Sequence, residues 1–266
     1  MFLKEFTDQI QHTFTLSAIP KKIISLVPSQ TELLHYLDLE EEVIGITKFC
    51  VHPKEWLSSK QKIGGTKNLN LELIKSLQPD LIIANKEENL AHHVRQLQKQ
   101  FCVYTSDVNT FNDALQMITD IGKMTDTNQK TEQLIQEITI AKEQFESTHP
   151  KTKKTCAYLI WQEPFMTVGN NTFIHEMITI FGLQNSFEQK DRYPEVTLNE
   201  LKEKQLDYLL LSTEPFPFKE EHLKKLQQEL PNTKVMLVDG EMFSWYGNRL
   251  LKCFPYFSQL RNQYYI

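Results

Sequence analysis

The chain has 266 residues, of which 40% are hydrophobic, and it carries a formal net charge of −5. This length predicts roughly one to two domains of about 100–200 residues each. The acidic balance argues against a nucleic-acid partner, whose binding protein needs a basic face. The sequence has no run of about 18 apolar residues, so we expect no membrane-spanning helix.

The first part of the chain alternates short apolar strands with helical patterns. Strands are predicted at residues 23–27, 43–46, 81–84 and 103–104, and helices at residues 29–37, 90–97 and 111–121. Ser29 and Glu32 have the spacing of a capping box at the start of the first helix. Alternation of this kind predicts an α/β fold with a parallel sheet covered by helices.

The middle of the chain, residues 128–145, predicts one long helix without Gly or Pro. A second set of elements follows, with strands at 156–160, 166–168 and 235–238 and helices at 173–181 and 248–260. We therefore predict two Rossmann-like lobes with parallel sheets joined by a helix. The N-terminal lobe comprises residues 1–126, the bridging helix residues 127–150 and the C-terminal lobe residues 151–266.

An internal repeat supports two similar lobes. The helix start at residues 70–75 leads to Asp80 and an apolar run, and the helix start at residues 197–202 leads to Asp207 and another. The copies are 127 residues apart (from 80 to 207), which is too far for solenoid repeats of roughly 20–50 residues. They are interpreted as equivalent parts of two lobes, and a two-lobed chain has a cleft.

Ligands of parallel α/β sheets bind outside the carboxyl ends of the strands. Aromatic residues collect in the segments predicted there, and these rings suit a large, flat, partly apolar ligand. The alternative is that some of the rings simply pack beneath the loops. The polar candidates for ligand contact are Gln162 and Glu241, and the aromatic candidates are Phe49, Trp161, Phe165, Tyr193, Phe243, Trp245 and Tyr246.

Catalytic motifs are missing from the sequence. It contains no Gly-x-Gly-x-x-Gly, no phosphate-binding loop and no Gly-x-Ser-x-Gly elbow, so we predict no catalytic residue and no resident cofactor. A metal cage would need three or four convergent ligands. The candidates His52, Glu87, Glu163, Asp239 and Glu241 form no specific pattern, and we predict no bound metal ion. The four scattered cysteines are expected to be buried thiols.

Several segments carry a resemblance to a known family. They are residues 8–14, the block from Pro20 to Glu32, Gly64-Gly65, residues 71–74 and Pro79-Asp80-Leu81-Ile82. They resemble the periplasmic substrate-binding proteins of ABC importers for cobalamin and iron chelates. The resemblance implies two α/β lobes on a helical backbone, with a metal chelate bound in the cleft between them. The loop of Phe49 resembles the family segment that places an aromatic ring against the corrin. Arg249, a further candidate for ligand contact, lies near the start of the last helix, where the family often has an arginine.

Further expectations come from the same resemblance. It implies a non-enzymatic monomer that docks on a dimeric ABC permease through one acidic residue per lobe. Glu72 matches the first such position, and the second aligns with Asn199, so the adjacent Glu200 is the candidate there. The ligand is expected to be a cobalamin-like corrinoid. Thr66-Lys67 stands where the family has a tryptophan, and an iron–siderophore or haem receptor remains the alternative. Haem would need an iron ligand such as Tyr246 or His52.

The resemblance implies a periplasmic or cell-surface location. Residues 1–8 have no basic segment followed by an apolar run and a cleavage site, so no signal peptide is recognised in this chain. Either a leader was removed or the protein stays in the cell. The second possibility corresponds to a cytoplasmic enzyme or accessory protein of corrinoid or metal metabolism.

Overall fold

The computed structural model describes residues 4–266 and has a mixed α/β fold. Residues 1–3, which belong to the segment 1–8 without a recognised signal peptide, lie outside the described residues. The chain divides into two compact units. Unit 1 comprises residues up to 108, residues 112–138 and residues 246–249; unit 2 comprises residues 109–111, 139–245 and 250–266. The lobe boundaries at 126 and 150 stay a prediction.

Unit 1 is built on a five-stranded sheet. Its elements are β1 (Lys4–Thr7), β2 (Thr13–Leu16), β3 (Ile23–Ser25), α1 (Pro28–Tyr36), β4 (Val43–Ile46), α2 (Trp56–Ser59), β5 (Gln61–Lys62), β6 (Gly64–Gly65), β7 (Asn68–Leu69), α3 (Leu71–Leu77), β8 (Leu81–Asn85), α4 (Ala91–Gln98) and β9 (Val103–Ser106). The sheet order is β5-β4-β3-β8-β9 and every pairing is parallel. Strands β3, β8 and β9 are buried throughout, as expected when helices cover both faces of a parallel sheet.

Two helices connect this sheet to the rest of the chain, α5 (Phe111–Thr125) and α6 (Asn128–Thr148). The 21-residue α6 confirms the prediction of one long helix. Its residues through 138 belong to unit 1 and those from 139 to unit 2. The chain therefore passes from one unit to the other within a helix.

Unit 2 is built on a six-stranded sheet. Its elements are β10 (Thr155–Trp161), β11 (Phe165–Thr167), α7 (Phe173–Phe181), β12 (Gln184–Asn185), β13 (Glu195–Val196), α8 (Leu198–Glu203), β14 (Tyr208–Ser212), α9 (Glu220–Glu229), β15 (Lys234–Val238), α10 (Glu241–Ser244) and α11 (Leu250–Tyr264). Strands β10, β14, β15 and β12 pair in parallel. The predicted parallel sheet is confirmed, and strands β11 and β13 extend it with antiparallel pairings.

The repeated segments fold as predicted. Asn70 caps α3 by accepting a hydrogen bond from the Leu73 N–H, and Thr197 caps α8 in a capping box with Glu200. A parallel strand, β8 or β14, follows each helix. Each copy is thus a capped helix, a turn and a buried strand.

The capping box predicted at Ser29 and Glu32 is wrong. Helix α1 begins at Pro28, the preceding Val27 is extended, and no side chain caps this helix. Proline suits the first helical position because its missing N–H would have no helical partner there. The Glu32 carboxylate instead accepts a hydrogen bond from Arg249.

Candidate functional site

In unit 1, Phe49 follows β4 and is 51% exposed. The main-chain N–H of the preceding Lys48 donates to the Gly64 carbonyl at 2.9 Å, which ties this loop to the β6–β7 hairpin. The Lys48 ammonium lies 5.1 Å from the centroid of the Phe49 ring. A Cβ at Gly65 would lie 3.1 Å from the ring atom Cε2 of Phe49. The ring therefore rests on the hairpin and keeps an exposed surface.

In unit 2, Trp161 is the last residue of β10 and is 40% exposed. Its indole meets the ring of Phe216 edge to face, with centroids 5.6 Å apart and planes at 72°. The half-buried Phe165 begins β11 and packs against the hydrophobic core of unit 2. Trp161 thus offers more exposed ring surface than Phe165 does.

Two further candidates in unit 2 are partly exposed. The ring of Tyr193 lies beside the guanidinium of Arg192, 5.8 Å from its carbon Cζ. Glu241 begins α10, and its N–H donates to the Asp239 carboxylate at 3.1 Å. Both residues remain candidates for ligand contact.

Two of the predicted rings are buried in unit 2. Phe243 has no exposed surface and packs against Tyr158, Phe181 and Phe257, with centroids 4.7–5.6 Å apart. Trp245 is 8% exposed, and its indole N–H donates to the Glu214 carboxylate at 2.9 Å. The alternative that some rings pack beneath the loops therefore describes Phe243.

No pattern in the sequence points to Glu214 as the hydrogen-bond acceptor for Trp245. The Glu214 carboxylate also accepts a hydrogen bond from the Ser244 hydroxyl at 2.6 Å. Burial raises the pKa of Glu214 above its ordinary value, although the hydrogen bonds from Ser244 and Trp245 oppose the shift. Glu214 holds the end of α10 and the following Trp245 in place.

Tyr246 and Arg249 lie in unit 1 and are buried. Burial raises the pKa of the Tyr246 phenol well above its ordinary value, and the hydroxyl is hydrogen bonded to Ser106 and Ser29. The guanidinium Nε of Arg249 donates to the Glu32 carboxylate at 2.7 Å. Tyr246 is therefore a neutral phenol with polar partners, and Arg249 is half of a buried ion pair.

The two predicted docking residues differ in their surroundings. The Glu72 side chain, in the first turn of α3, is 83% exposed and pairs with Lys75 at 2.8 Å. Glu200 accepts from Lys190 at 2.9 Å and from the N–H of Thr197 at 2.7 Å. These hydrogen bonds, that of Lys190 first, lower the pKa of Glu200 to about 2. Glu200 therefore carries its charge at neutral pH while it caps α8.

Other candidate groups do not converge on a site. Within residues 4–266, no three His, Cys, Asp or Glu side chains are placed to hold a metal ion. No disulfide joins cysteines within residues 4–266; Cys50, Cys156 and Cys253 are buried and Cys102 is half-buried. A groove of about 440 Å³ in unit 2, between α6 and α11, contains none of the predicted ligand residues. No helix in the described part of the chain has the length and apolarity to cross a bilayer.

The two α/β units carry exposed aromatic rings after β4 and at the end of β10, and parallel α/β sheets bind ligands at such strand ends. Residues 23–235 match the model of the periplasmic binding protein family, and the chain belongs to this family. The chain resembles curated proteins as well. One is an uncharacterized ABC transporter substrate-binding lipoprotein of Bacillus subtilis, 28% identical over 199 residues. That match covers 71% of this chain and 63% of the lipoprotein.

A second relative is a vitamin B12-binding protein of Vibrio parahaemolyticus. It is 28% identical over 199 residues, which cover 72% of this chain and 70% of the relative. Among solved structures, a periplasmic heme-binding protein of Roseiflexus in its apo form aligns with a TM-score of 0.78. It is 19% identical, over 92% of this chain and 98% of that chain. The two-lobed periplasmic binding protein fold is therefore shared by proteins named for different ligands.

Proposed function

We propose that this protein is the substrate-binding component of an ABC importer and binds a flat metal chelate, with a cobalamin-like corrinoid as the first candidate. The observation that carries the proposal is the pair of half-exposed rings, Phe49 and Trp161. Each ring lies at the carboxyl end of a parallel strand, where α/β proteins bind their ligands. Stacking on such rings buries flat apolar surface without requiring a charged cage.

The names of relatives support a corrinoid. The Vibrio parahaemolyticus relative is named a vitamin B12-binding protein and aligns over most of this chain. A receptor for haem or an iron–siderophore is the second candidate, favoured by the heme-binding protein with the same fold. The neutral, hydrogen-bonded phenol of Tyr246 is a poor iron ligand as it stands, since an iron-bound tyrosine gives up its proton. The half-buried His52, which directly follows the loop of Phe49, is the better haem candidate.

In the proposed role the protein is a monomer outside the cytoplasm, and it binds its ligand without catalysing a reaction. It delivers its ligand to a permease dimer, with Glu72 and Glu200 as the acidic contacts. The high exposure of the Glu72 side chain and the low pKa of Glu200 support this role, because Glu72 is accessible to a partner and Glu200 is ionised at neutral pH. The lobe cleft predicted from the sequence stays a prediction.

The test is a titration of the purified chain with cyanocobalamin, hemin and ferric siderophores, in which tryptophan fluorescence reports ligand binding. Of the three tryptophans, Trp56 is fully buried, Trp245 is 8% exposed and Trp161 is 40% exposed, so Trp161 is the expected reporter. Free N-acetyltryptophanamide in the same chelate solutions corrects for absorption of light by the chelate. Saturable quenching at micromolar or lower cyanocobalamin supports the corrinoid; saturation by an iron chelate alone supports the second candidate.

Calorimetric titration of three variants then tests the site itself. Phe49→Ala and Trp161→Ala are each expected to weaken binding about 10-fold or more, the size of effect found for aromatic residues that anchor an interface. Tyr265→Ala is the matched control, because its ring is 85% exposed near the end of the chain. Unchanged affinity in both ring variants would place the ligand elsewhere, and no binding of any chelate would overturn the proposed function.

A further inference from the structure

Phe216 lies directly beside Trp161 in unit 2. It occupies the loop between β14 and α9, flanked by Pro215 and Pro217. Its main-chain N–H donates to the carbonyl of Ile160, the residue before Trp161, at 3.3 Å. Its ring meets the indole edge to face at 5.6 Å. The loop is therefore held to the end of β10 through both backbone and ring.

The ring of Phe216 is itself supported from the protein interior. Phe218 is buried and lies 4.7 Å from it between centroids. The imidazole of His222 lies 5.4 Å from Phe216 and 5.6 Å from Phe218. The Nδ1 atom of His222 accepts the Lys219 N–H at 3.0 Å, which fixes the imidazole at the start of α9. Phe216 thus connects the half-exposed Trp161 to the core of unit 2.

We infer that Phe216 is a positioning residue for ligand binding: it fixes the orientation of the Trp161 indole so that the exposed ring surface is ready for a flat chelate. The inference rests on the proposed function. An unsupported indole at the end of a strand samples several rotamers, and binding then has to order it. An edge-to-face partner holds one rotamer before the ligand arrives, which strengthens binding without a contact to the ligand.

The test compares variants of the full chain. Phe216→Leu removes the aromatic edge and keeps an apolar side chain, Phe216→Tyr keeps the ring, and Trp161→Ala removes the indole. Affinity for cyanocobalamin and for hemin is measured by calorimetry, and stability by urea unfolding. Labelling with 5-fluorotryptophan gives three ¹⁹F resonances for the three tryptophans, and the one lost in Trp161→Phe reports on the indole at 161.

Phe216→Leu is expected to shift the Trp161 resonance and to weaken binding about 3- to 10-fold, the range that an aromatic pair supports. Phe216→Tyr keeps the ring and is expected to retain the wild-type Trp161 resonance and the wild-type affinity. An unshifted resonance, or full affinity in Phe216→Leu when Trp161→Ala weakens binding, overturns the positioning role alone. Full affinity in Trp161→Ala, or a wild-type chain that binds neither chelate, overturns the proposed site or function and this inference with it.

Discussion

Asp80 and Asp207 are equivalent residues of the two units, and each carboxylate accepts a hydrogen bond from the main chain at the start of the neighbouring parallel strand. Asp80 accepts from the N–H groups of Lys21 and Lys22 at 2.8 and 2.9 Å, just before β3. Asp207 accepts from the N–H of Thr155 at 2.7 Å and from its hydroxyl at 3.1 Å, where β10 begins. The repeat in the sequence therefore encodes a shared way of fixing two neighbouring strands in register.

Removing either carboxylate is expected to destabilise its own unit. Asp80→Ala and Asp207→Ala each remove the charged acceptor of these exposed hydrogen bonds, which costs about 1 kcal/mol because water can take its place. Asn at the same position keeps one acceptor oxygen and is expected to cost less. Urea unfolding of the Ala and Asn variants at both positions measures the difference. Equal losses for Ala and Asn would show that the charge, not the acceptor, is what matters.

The ion pair between Glu32 and Arg249 is expected to be important for stability. Both side chains are nearly buried, and they join α1 to a segment 217 residues later in the chain. Breaking a buried pair by removing one partner leaves an unpaired charge, with a cost of about 3–5 kcal/mol. Glu32→Gln and Arg249→Met are each expected to lose that much of the free energy of unfolding.

The control for this pair is Lys142→Met, which breaks a partly exposed pair with Glu146 on one helix. Such a pair contributes roughly 0.3–0.5 kcal/mol. The double variant of Glu32 and Arg249 is expected to lose less than the sum of the single losses, since neither charge remains unpaired. Losses in the single variants no larger than the control would contradict a structural role for the pair.

The helix caps and the ion pair between Glu32 and Arg249 show which features of the fold the sequence could predict and which it could not. The caps of α3 and α8, the strands that follow them and the helix at 173–181 depend on residues a few positions apart, so their pattern is visible in the chain itself. Ser29 and Glu32 also have a local pattern, that of a capping box, but the Glu32 carboxylate accepts a hydrogen bond from Arg249 instead. A partner so far along the chain leaves no spacing signal.

The residues of the candidate site also divide into those that the sequence could predict and those that it could not. The position of Phe49 and Trp161 after strands predicted that they lie at strand ends, and both are exposed there. Phe243 has the same sequence context but is buried by three rings from other elements. Phe216 and Glu214 were overlooked, because a loop with two prolines does not reveal which strand end it packs against. Exposure and side-chain partners are properties of tertiary packing rather than of local pattern.

Gly65 is expected to control the position of the Phe49 ring. An added Cβ would lie 3.1 Å from Phe49 Cε2 and 3.3 Å from Lys48 Cε, closer than side chains normally approach. Gly65→Ala should therefore push the exposed ring aside and weaken chelate binding with little change in stability, since both neighbours are exposed and can move. Calorimetric titration with cyanocobalamin measures the effect.

The matched control is Gly64→Ala in the same hairpin. Gly64 has a φ of +107°, and an added Cβ would clash with the Asn68 carbonyl oxygen, so this variant should lose stability. A loss of stability at Gly64 together with a loss of affinity at Gly65 supports the separate roles. If Phe49→Ala weakens binding but Gly65→Ala binds with normal affinity, Gly65 does not control the position of the ring that binding needs.

The charge of Glu200 is expected to depend on Lys190. The pKa of Glu200 is about 2, well below its usual value, chiefly because Lys190 donates to the carboxylate. A lowered carboxyl pKa stabilises the fold above the pKa of the unfolded chain, and this contribution disappears as the pH falls through the folded pKa. Lys190→Met should raise the pKa of Glu200 part of the way to normal, because the capping bonds with Thr197 remain. Carboxyl NMR titration from neutral pH to pH 2 measures this pKa.

The control is Lys202→Met, which removes the partner of Glu229 and should leave the pKa of Glu200 unchanged. An equal shift in both variants would show that Glu200 responds to the general field of nearby lysines and not to its bond with Lys190.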